Sequence, residues 1–193
     1  MGAAPLNGLV LAGGRSRRFG RDKAAVELDG HTLLARTVAL VTPFVETVRV
    51  SVRPDQRDDA VRAGFALLAD SLIDAGPAAG LLAAHDFAPK AAWLVTACDL
   101  PLLDEKTLAT LVAARDAAHQ ATAYRSPVDG KAEPLCAIYE PAALNRLAEL
   151  AASGGSLSPR DLLAGADTVW LQAERGEALA NVNEPGDLER LQN

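Results

Sequence analysis

The chain has 193 residues, 49% of them apolar and 23% charged, with 19 Lys+Arg against 25 Asp+Glu and a formal net charge of −6. This composition excludes wholesale disorder, and the length predicts one domain, residues 1–193. The acidic balance excludes a nonspecific nucleic-acid coat, and no apolar run approaches the ~20 residues that span a bilayer. A core drawn from 39 alanines with 4% aromatics suits helices covering a sheet.

Leu9-Val10-Leu11-Ala12 is a short apolar run that stops at Gly13-Gly14, the pattern of a buried strand entering a loop. Leu33, Leu34, Thr37, Val38 and Val41 recur at helical spacing, with Pro43 as the stop. Residues 45–52 alternate as a second strand, and Pro54 with the charged stretch 55–62 predicts a helix. Residues 65–69 read as a third strand, 70–77 as a loop and 78–87 as a helix. Trp93-Leu94-Val95-Thr96-Ala97 is a fourth strand ending at Cys98-Asp99, and Asp104 can cap a helix over 105–118. This alternation predicts parallel strands joined by crossover helices, a three-layer α/β sandwich of Rossmann-like type.

The second half is less regular. Residues 121–125 and 134–139 flank the turn sequence Ser126-Pro127-Val128-Asp129-Gly130, which predicts a hairpin. Pro141 opens a helix, Ser158-Pro159 reads as the cap and first position of another, residues 169–172 as a last strand, and Pro185 as the start of a terminal helix. The sheet is therefore expected to be mainly parallel. Met1 to Leu6 has no basic segment followed by an apolar one, so a cytoplasmic protein is expected, with Cys98 and Cys136 reduced and packed as small hydrophobes. They form no C-x-x-C pair and no zinc spacing.

Charge is unevenly distributed. Residues 1–23 hold Arg15, Arg17, Arg18, Arg21 and Lys23 against Asp22, which is +4; the rest, 14 basic against 24 acidic, is −10. The basic segment leaves the first strand at the edge where open α/β sheets bind ligands. Gly13, Gly14 and Gly20 allow backbone N–H groups close to an anion, and the cations supply charge. The spacing is neither G-x-G-x-x-G nor a Walker A loop, since Lys23 follows Gly20 by three and no Ser or Thr comes after it. Strand end, glycines and five cations together point to phosphate binding.

The run Leu11-Ala12-Gly13-Gly14-Arg15-Ser16-Arg17-Arg18-Phe19-Gly20-Arg21-Asp22-Lys23 closely resembles the signature of molybdenum cofactor guanylyltransferases, within the wider Rossmann-like nucleotidyltransferases. The resemblance continues at Asp70-Ser71, at Gly76-Pro77-Ala78-Ala79-Gly80-Leu81, at Cys98-Asp99-Leu100-Pro101, at Glu133-Pro134-Leu135 and at Asn181-Val182-Asn183-Glu184-Pro185, in the family's order.

The resemblance implies transfer of GMP from GTP to molybdenum-bound molybdopterin, with release of pyrophosphate and with Mg²⁺ as cofactor. Residues 1–120 would form the nucleotide-binding half and 121–193 the half facing the second substrate. It implies that Leu11, Ala12, Gly13 and Gly14 line the nucleotide site, that Arg18 and Lys23 hold the triphosphate, and that Asp70 contacts the nucleotide. Gly80 and Pro77 would shape the loop near the base. Asp99, directly after the fourth strand, would hold the metal, Asn181 and Asn183 would support the metal and phosphates, and Glu133 would lie near the second substrate. Asp22 is left with two roles, fixing the loop or fixing the lysine, and Arg160 with two, meeting the anionic substrate or lying on the surface. Neither membrane nor nucleic acid is implied, whereas transient contacts with cofactor-insertion proteins or molybdoenzymes are. His31, His85 and His119 fall in no motif. Ser51 and Arg53 stand where the family often has asparagines, which keeps the sister cytidylyltransferases or another small-molecule nucleotidyltransferase as the alternative, with a non-enzymatic nucleotide-binding module behind them; Gly13-Gly14 and Asp22-Lys23 favour guanine, and Lys23 with Asp99 favours an enzyme.

Overall fold

A computed structural model describes residues 2–14, 19–70, 72, 74–126, 129–182 and 186–187. Among them a seven-stranded sheet runs in the order β5-β4-β1-β6-β8-β7-β9. Its strands are β1 (Leu6–Leu11), β4 (Val48–Val52), β5 (Leu67–Ala69), β6 (Ala92–Ala97), β7 (Ala121–Arg125), β8 (Ala132–Tyr139) and β9 (Thr168–Gln172); β2 (Glu27–Leu28) and β3 (His31–Thr32) form a small antiparallel ribbon. β1 pairs in parallel with β4 and β6, β4 with β5 and β7 with β9, while β8 runs antiparallel to both β6 and β7. The sheet is mainly parallel, as expected, and its one reversal is the hairpin of β7 and β8.

Side-chain alternation along the strands supplies both faces. Leu6 and Val10 of β1 point to one side with Val50, Val52 and Leu94, where α1 (Leu33–Val41) and α3 (Glu105–Ala113) add Leu34, Val41, Leu108 and Leu111. Leu9 and Leu11 point to the other side with Trp93 and Val95, covered by α2 (Pro77–Phe87), α4 (Pro141–Ser153) and α5 (Pro159–Gly165). A third cluster, Phe19, Val26, Leu28, Leu33 and Val182, seals the segment that follows the basic loop. The caps read from sequence are made: Asp104 Oδ1 accepts from Thr107 N at 2.8 Å and Ser158 Oγ from Asp161 N at 3.2 Å.

Two helices differ from the sequence reading. The stretch expected as a helix over 55–62 is a 3-10 turn, Pro54–Gln56, followed by further turns. Asp59 takes the backbone N–H of Val61, the local bonding that lets an aspartate compete with a helix, and the Arg62 side chain turns inward. The helix expected to reach 118 stops at Ala113, beyond which Arg115 donates to Glu140 and to the carbonyl of Ala4, and Asp116 caps a turn at Ala118 N. α1 ends at Val41, and Pro43 lies in a following 3-10 turn. The helix start expected at Pro185 lies outside the described residues. No helix among the described residues is long and apolar enough to cross a membrane.

Candidate functional site

The path of the chain opens a crevice above β1. From β1 it passes to β4 and β5 on one side, then returns through α2 to β6 on the other. A cavity of about 610 Å³ lies there, at the carboxyl ends of β1, β4, β5 and β6. Residues 11–14 leave β1 along its wall, and the 3-10 turn Lys23–Ala25 brings the end of the basic loop back to the same wall. Ser51 and Arg53 enter from β4, Asp70 from the end of β5, Ala97 to Asp99 from β6, Gly76 and Pro77 from the start of α2, and Leu135 from β8.

Two residues 76 positions apart meet at the far side. Lys23 Nζ stands 3.1 Å from Asp99 Oδ2, with only 15% and 21% of the side chains exposed. The other carboxylate oxygen, Asp99 Oδ1, is buried and has no hydrogen-bond partner. Leaving a buried carboxylate oxygen unmatched is costly, and a divalent cation is a fitting match for a hard oxygen donor. No group of three or more His, Cys, Asp or Glu capable of holding a metal occurs among the described residues. Asp99 Oδ1 is therefore the oxygen that would fit a divalent cation. Cys98 beside it is a buried thiol pushed up to about 12 by burial, with Asp99 and Asp22 adding to the effect, so it stays protonated and packs as expected.

On the opposite wall Ser51 Oγ donates to Asp70 Oδ1 at 2.5 Å. Burial holds the Asp70 carboxyl above its ordinary range, against the pull of the Ser51 hydrogen bond and the charge of Arg53. Arg53 grips Asp55 with Nε and Nη2 at 3.0 and 3.1 Å, and its Nη1 donates to the Gly13 carbonyl at 2.6 Å. The two positions that depart from the family pattern are therefore engaged in the pocket: Ser51 orients Asp70 and Arg53 secures Gly13. A Cβ on Gly13 would stand 3.0 Å from Asp70 Oδ2, a tight contact that the Asp70 side chain would have to relieve.

The remaining sequence-selected residues are distributed unevenly. Leu11, Ala12, Gly13, Gly14, Lys23, Asp70 and Asp99 all line the cavity. Gly80 lies one layer behind, in α2, where an added Cβ would run into the Ser51 side chain and approach Leu11 Cδ2 to 2.7 Å. Asn181 is exposed and off the lining, but its neighbour Val182 donates N–H to the carbonyl of Asp99 at 3.0 Å. Glu133 sits on β8 two residues before Leu135; burial raises its carboxyl, opposed by a hydrogen bond from Ser126 and the charge of Arg160. Arg160 itself donates to the Ala132 carbonyl at 3.1 Å. Arg18 and Asn183 lie outside the described residues.

Asp22 acts on the turn that carries Lys23. Its Oδ1 accepts from Ala24 N at 3.0 Å, capping the turn that carries Lys23, and both its oxygens accept from Arg62. Arg62 is the residue that the sequence reading missed. In sequence it is one charge among many in a stretch expected to open a helix, and no spacing distinguishes it.

Residues 8–175 match the family described as the MobA-like NTP transferase domain. The chain is 34% identical over 183 residues to a molybdenum cofactor biosynthesis bifunctional protein of Synechocystis sp., covering 95% of this chain and 52% of that protein, so it spans about half the length of that relative. It is 35% identical over 183 residues to a molybdenum cofactor guanylyltransferase of Pseudomonas paraeruginosa, covering 94% and 91% of the two chains. The crystal structure of a molybdopterin-guanine dinucleotide biosynthesis protein A from Archaeoglobus fulgidus superposes with a TM-score of 0.78 over 95% of each chain at 24% identity, which establishes the shared fold.

Proposed function

The chain belongs to the MobA-like NTP transferase family, and from that premise we propose that it transfers GMP from GTP to molybdenum-bound molybdopterin, yielding the guanine dinucleotide cofactor and pyrophosphate. The observation that carries this reading is the Lys23–Asp99 pair facing the glycine-floored end of β1, with one Asp99 oxygen unmatched. A terminal phosphate oxygen of the acceptor attacks the α-phosphorus of GTP, the bond to the bridging oxygen breaks, and pyrophosphate leaves. The acceptor phosphate has a second pKa near ~6, so it is already largely anionic at neutral pH and needs no general base. Catalysis is then positioning and charge neutralisation.

In this reading the backbone of Leu11, Ala12, Gly13 and Gly14 embraces the nucleotide, and Asp70, held by Ser51, contacts it from the facing wall. Lys23 and Arg18 offset charge on the phosphates, Lys23 at the α-phosphate. Asp99 Oδ1 would hold Mg²⁺, which when bound draws electron density from the phosphate oxygens. Residues 121–193 serve the second substrate, with Glu133, Asn181 and Asn183 on that side and residues 1–120 serving the nucleotide. The reaction is cytoplasmic, and the product passes by transient contact to insertion proteins or molybdoenzymes.

The test pairs binding with turnover. Thermal-shift titration with the magnesium complexes of GTP, CTP, ATP and UTP should give the largest stabilisation with GTP. Pyrophosphate release should then require both GTP and molybdenum-bound molybdopterin. Preferential stabilisation by CTP would replace the guanylyl reading with the cytidylyl one.

A further inference from the structure

Arg62 has no exposed side-chain surface, although it lies in a turn segment and its guanidinium is in none of the cavity walls. Nη1 donates to Asp22 Oδ2 at 2.6 Å and to Asp59 Oδ2 at 2.7 Å. Nη2 donates to Asp22 Oδ1 at 3.2 Å and to the carbonyl oxygen of Ala12 at 2.8 Å. Burial alone would lower the guanidinium pKa, but the hydrogen bond and charge of Asp22, with Asp59, raise it, so the group is a permanent cation.

Ala12 and Asp22 are the two ends of the basic loop: the chain leaves β1 at Ala12, and Asp22 caps the turn that delivers Lys23. One planar guanidinium thus closes both ends of a loop of nine residues, 13–21, and fixes the residue beside Lys23. Ala12 is also held on its other side, where its N–H donates to the Ser51 carbonyl at 2.9 Å. A lysine, a point donor without a fork, cannot meet Asp22 through two nitrogens while also reaching Ala12.

We propose that Arg62 is a positioning residue of the phosphate site: it clasps the two ends of the basic loop, and through Asp22 it sets Lys23 for the triphosphate without touching substrate. The inference rests on the nucleotidyl-transfer reading of the site and adds a residue from outside its walls. Because the clasp acts on the loop and on Lys23, its loss should weaken recognition of phosphate and spare the walls that face the nucleoside.

The experiment compares two probes by calorimetry, magnesium triphosphate and guanosine, on the wild type, Arg62→Met, Arg62→Lys and Asp22→Asn. Arg62→Met should bind triphosphate at least about tenfold more weakly while guanosine affinity stays within about twofold. Asp22→Asn should show the same selective loss, and in the double variant the two losses should fail to add, because both residues act through one contact. Arg62→Lys should recover only part. If Arg62→Met does not fold, Asp22→Asn carries the same comparison. Equal losses for both probes, no loss for either, or fully additive losses would overturn the clasp. Transfer of GMP by the wild type is measured separately: its absence overturns the functional reading and leaves the ratio of the two probes to decide on Arg62.

Discussion

At the scale of single residues, the unmatched oxygen of Asp99 makes a sharp prediction. Asp99→Asn keeps the shape and an oxygen able to accept from Lys23, but removes the anionic donor suited to a hard cation. Pyrophosphate release should fall by about 10²–10³-fold, the range seen when one transition-state charge partner is lost. Mn²⁺ binding followed by electron paramagnetic resonance should fall with it, while the melting temperature stays close to wild type. Asp70 behaves differently, because burial holds its folded-state pKa above the unfolded value near 3.8. A raised carboxyl pKa means that the ionised form costs stability in the folded state. That cost is absent below pH 3.8 and appears as the pH rises through the folded pKa. Asp70→Asn should therefore raise the melting temperature at pH 7, by about 1–2 °C since the carboxylate remains partly in water, and give no gain near pH 3.5. GTP binding should weaken in the same variant, separating the stability of this position from its use.

At the scale of elements, α2 is close-packed because Gly80 lets it rest on Ser51 and Leu11. Gly80→Ala gains up to about 1 kcal/mol of helix propensity but forces the Ser51 and Leu11 side chains to shift, an overpacking cost of about 1–3 kcal/mol. A net fall of a few degrees in melting temperature is expected by calorimetry, together with weaker GTP binding as Ser51 releases Asp70. Elements with a strong hydrophobic period were legible: the runs of β1 and β6, the amphipathic spacing of α1 and the caps Asp104 and Ser158 all form where their side chains require. The stretch 55–62 departs from the expected helix for an identifiable reason. Its charged residues look like the opening of a helix, but one of them, Arg62, is spent on a tertiary contact 40 residues back in the chain, and no local pattern encodes that. The site divides in the same way. Asp70 and Asp99 directly follow strands, and with Lys23 they fall in the motifs that carry the family resemblance, whereas the purpose of Asp22 and of Ser51 emerged only from partners distant in sequence.

At the scale of the whole molecule, the net charge of −6 averages a basic loop sequence and an acidic cavity lining. The described lining carries Asp22, Asp55, Asp70, Asp74 and Asp99 against Lys23 and Arg53, five negative against two positive, or −3. Walls of that sign suit a cation and repel a free polyanion. The loop sequence holds four arginines, Arg15, Arg17, Arg18 and Arg21, each within three positions of the next, as a source of compensating charge. Affinity for the triphosphate should therefore come from the loop, and affinity for the nucleoside from the walls. Replacing Arg15, Arg17 and Arg18 together by alanine removes three positive charges from the loop sequence, and the fold should persist by circular dichroism. Guanosine affinity should be unchanged, and affinity for Mg²⁺·GTP should fall by about 10–100-fold, the loss expected for one charge-assisted hydrogen bond or slightly more. Salt discriminates further. Wild-type affinity for GTP should decline between low and physiological ionic strength as attraction to the loop is screened. In the triple variant the remaining walls repel the nucleotide, so added salt should leave its affinity level or raise it. A variant that keeps the wild-type salt slope would show that the walls, and not the loop, carry the phosphate.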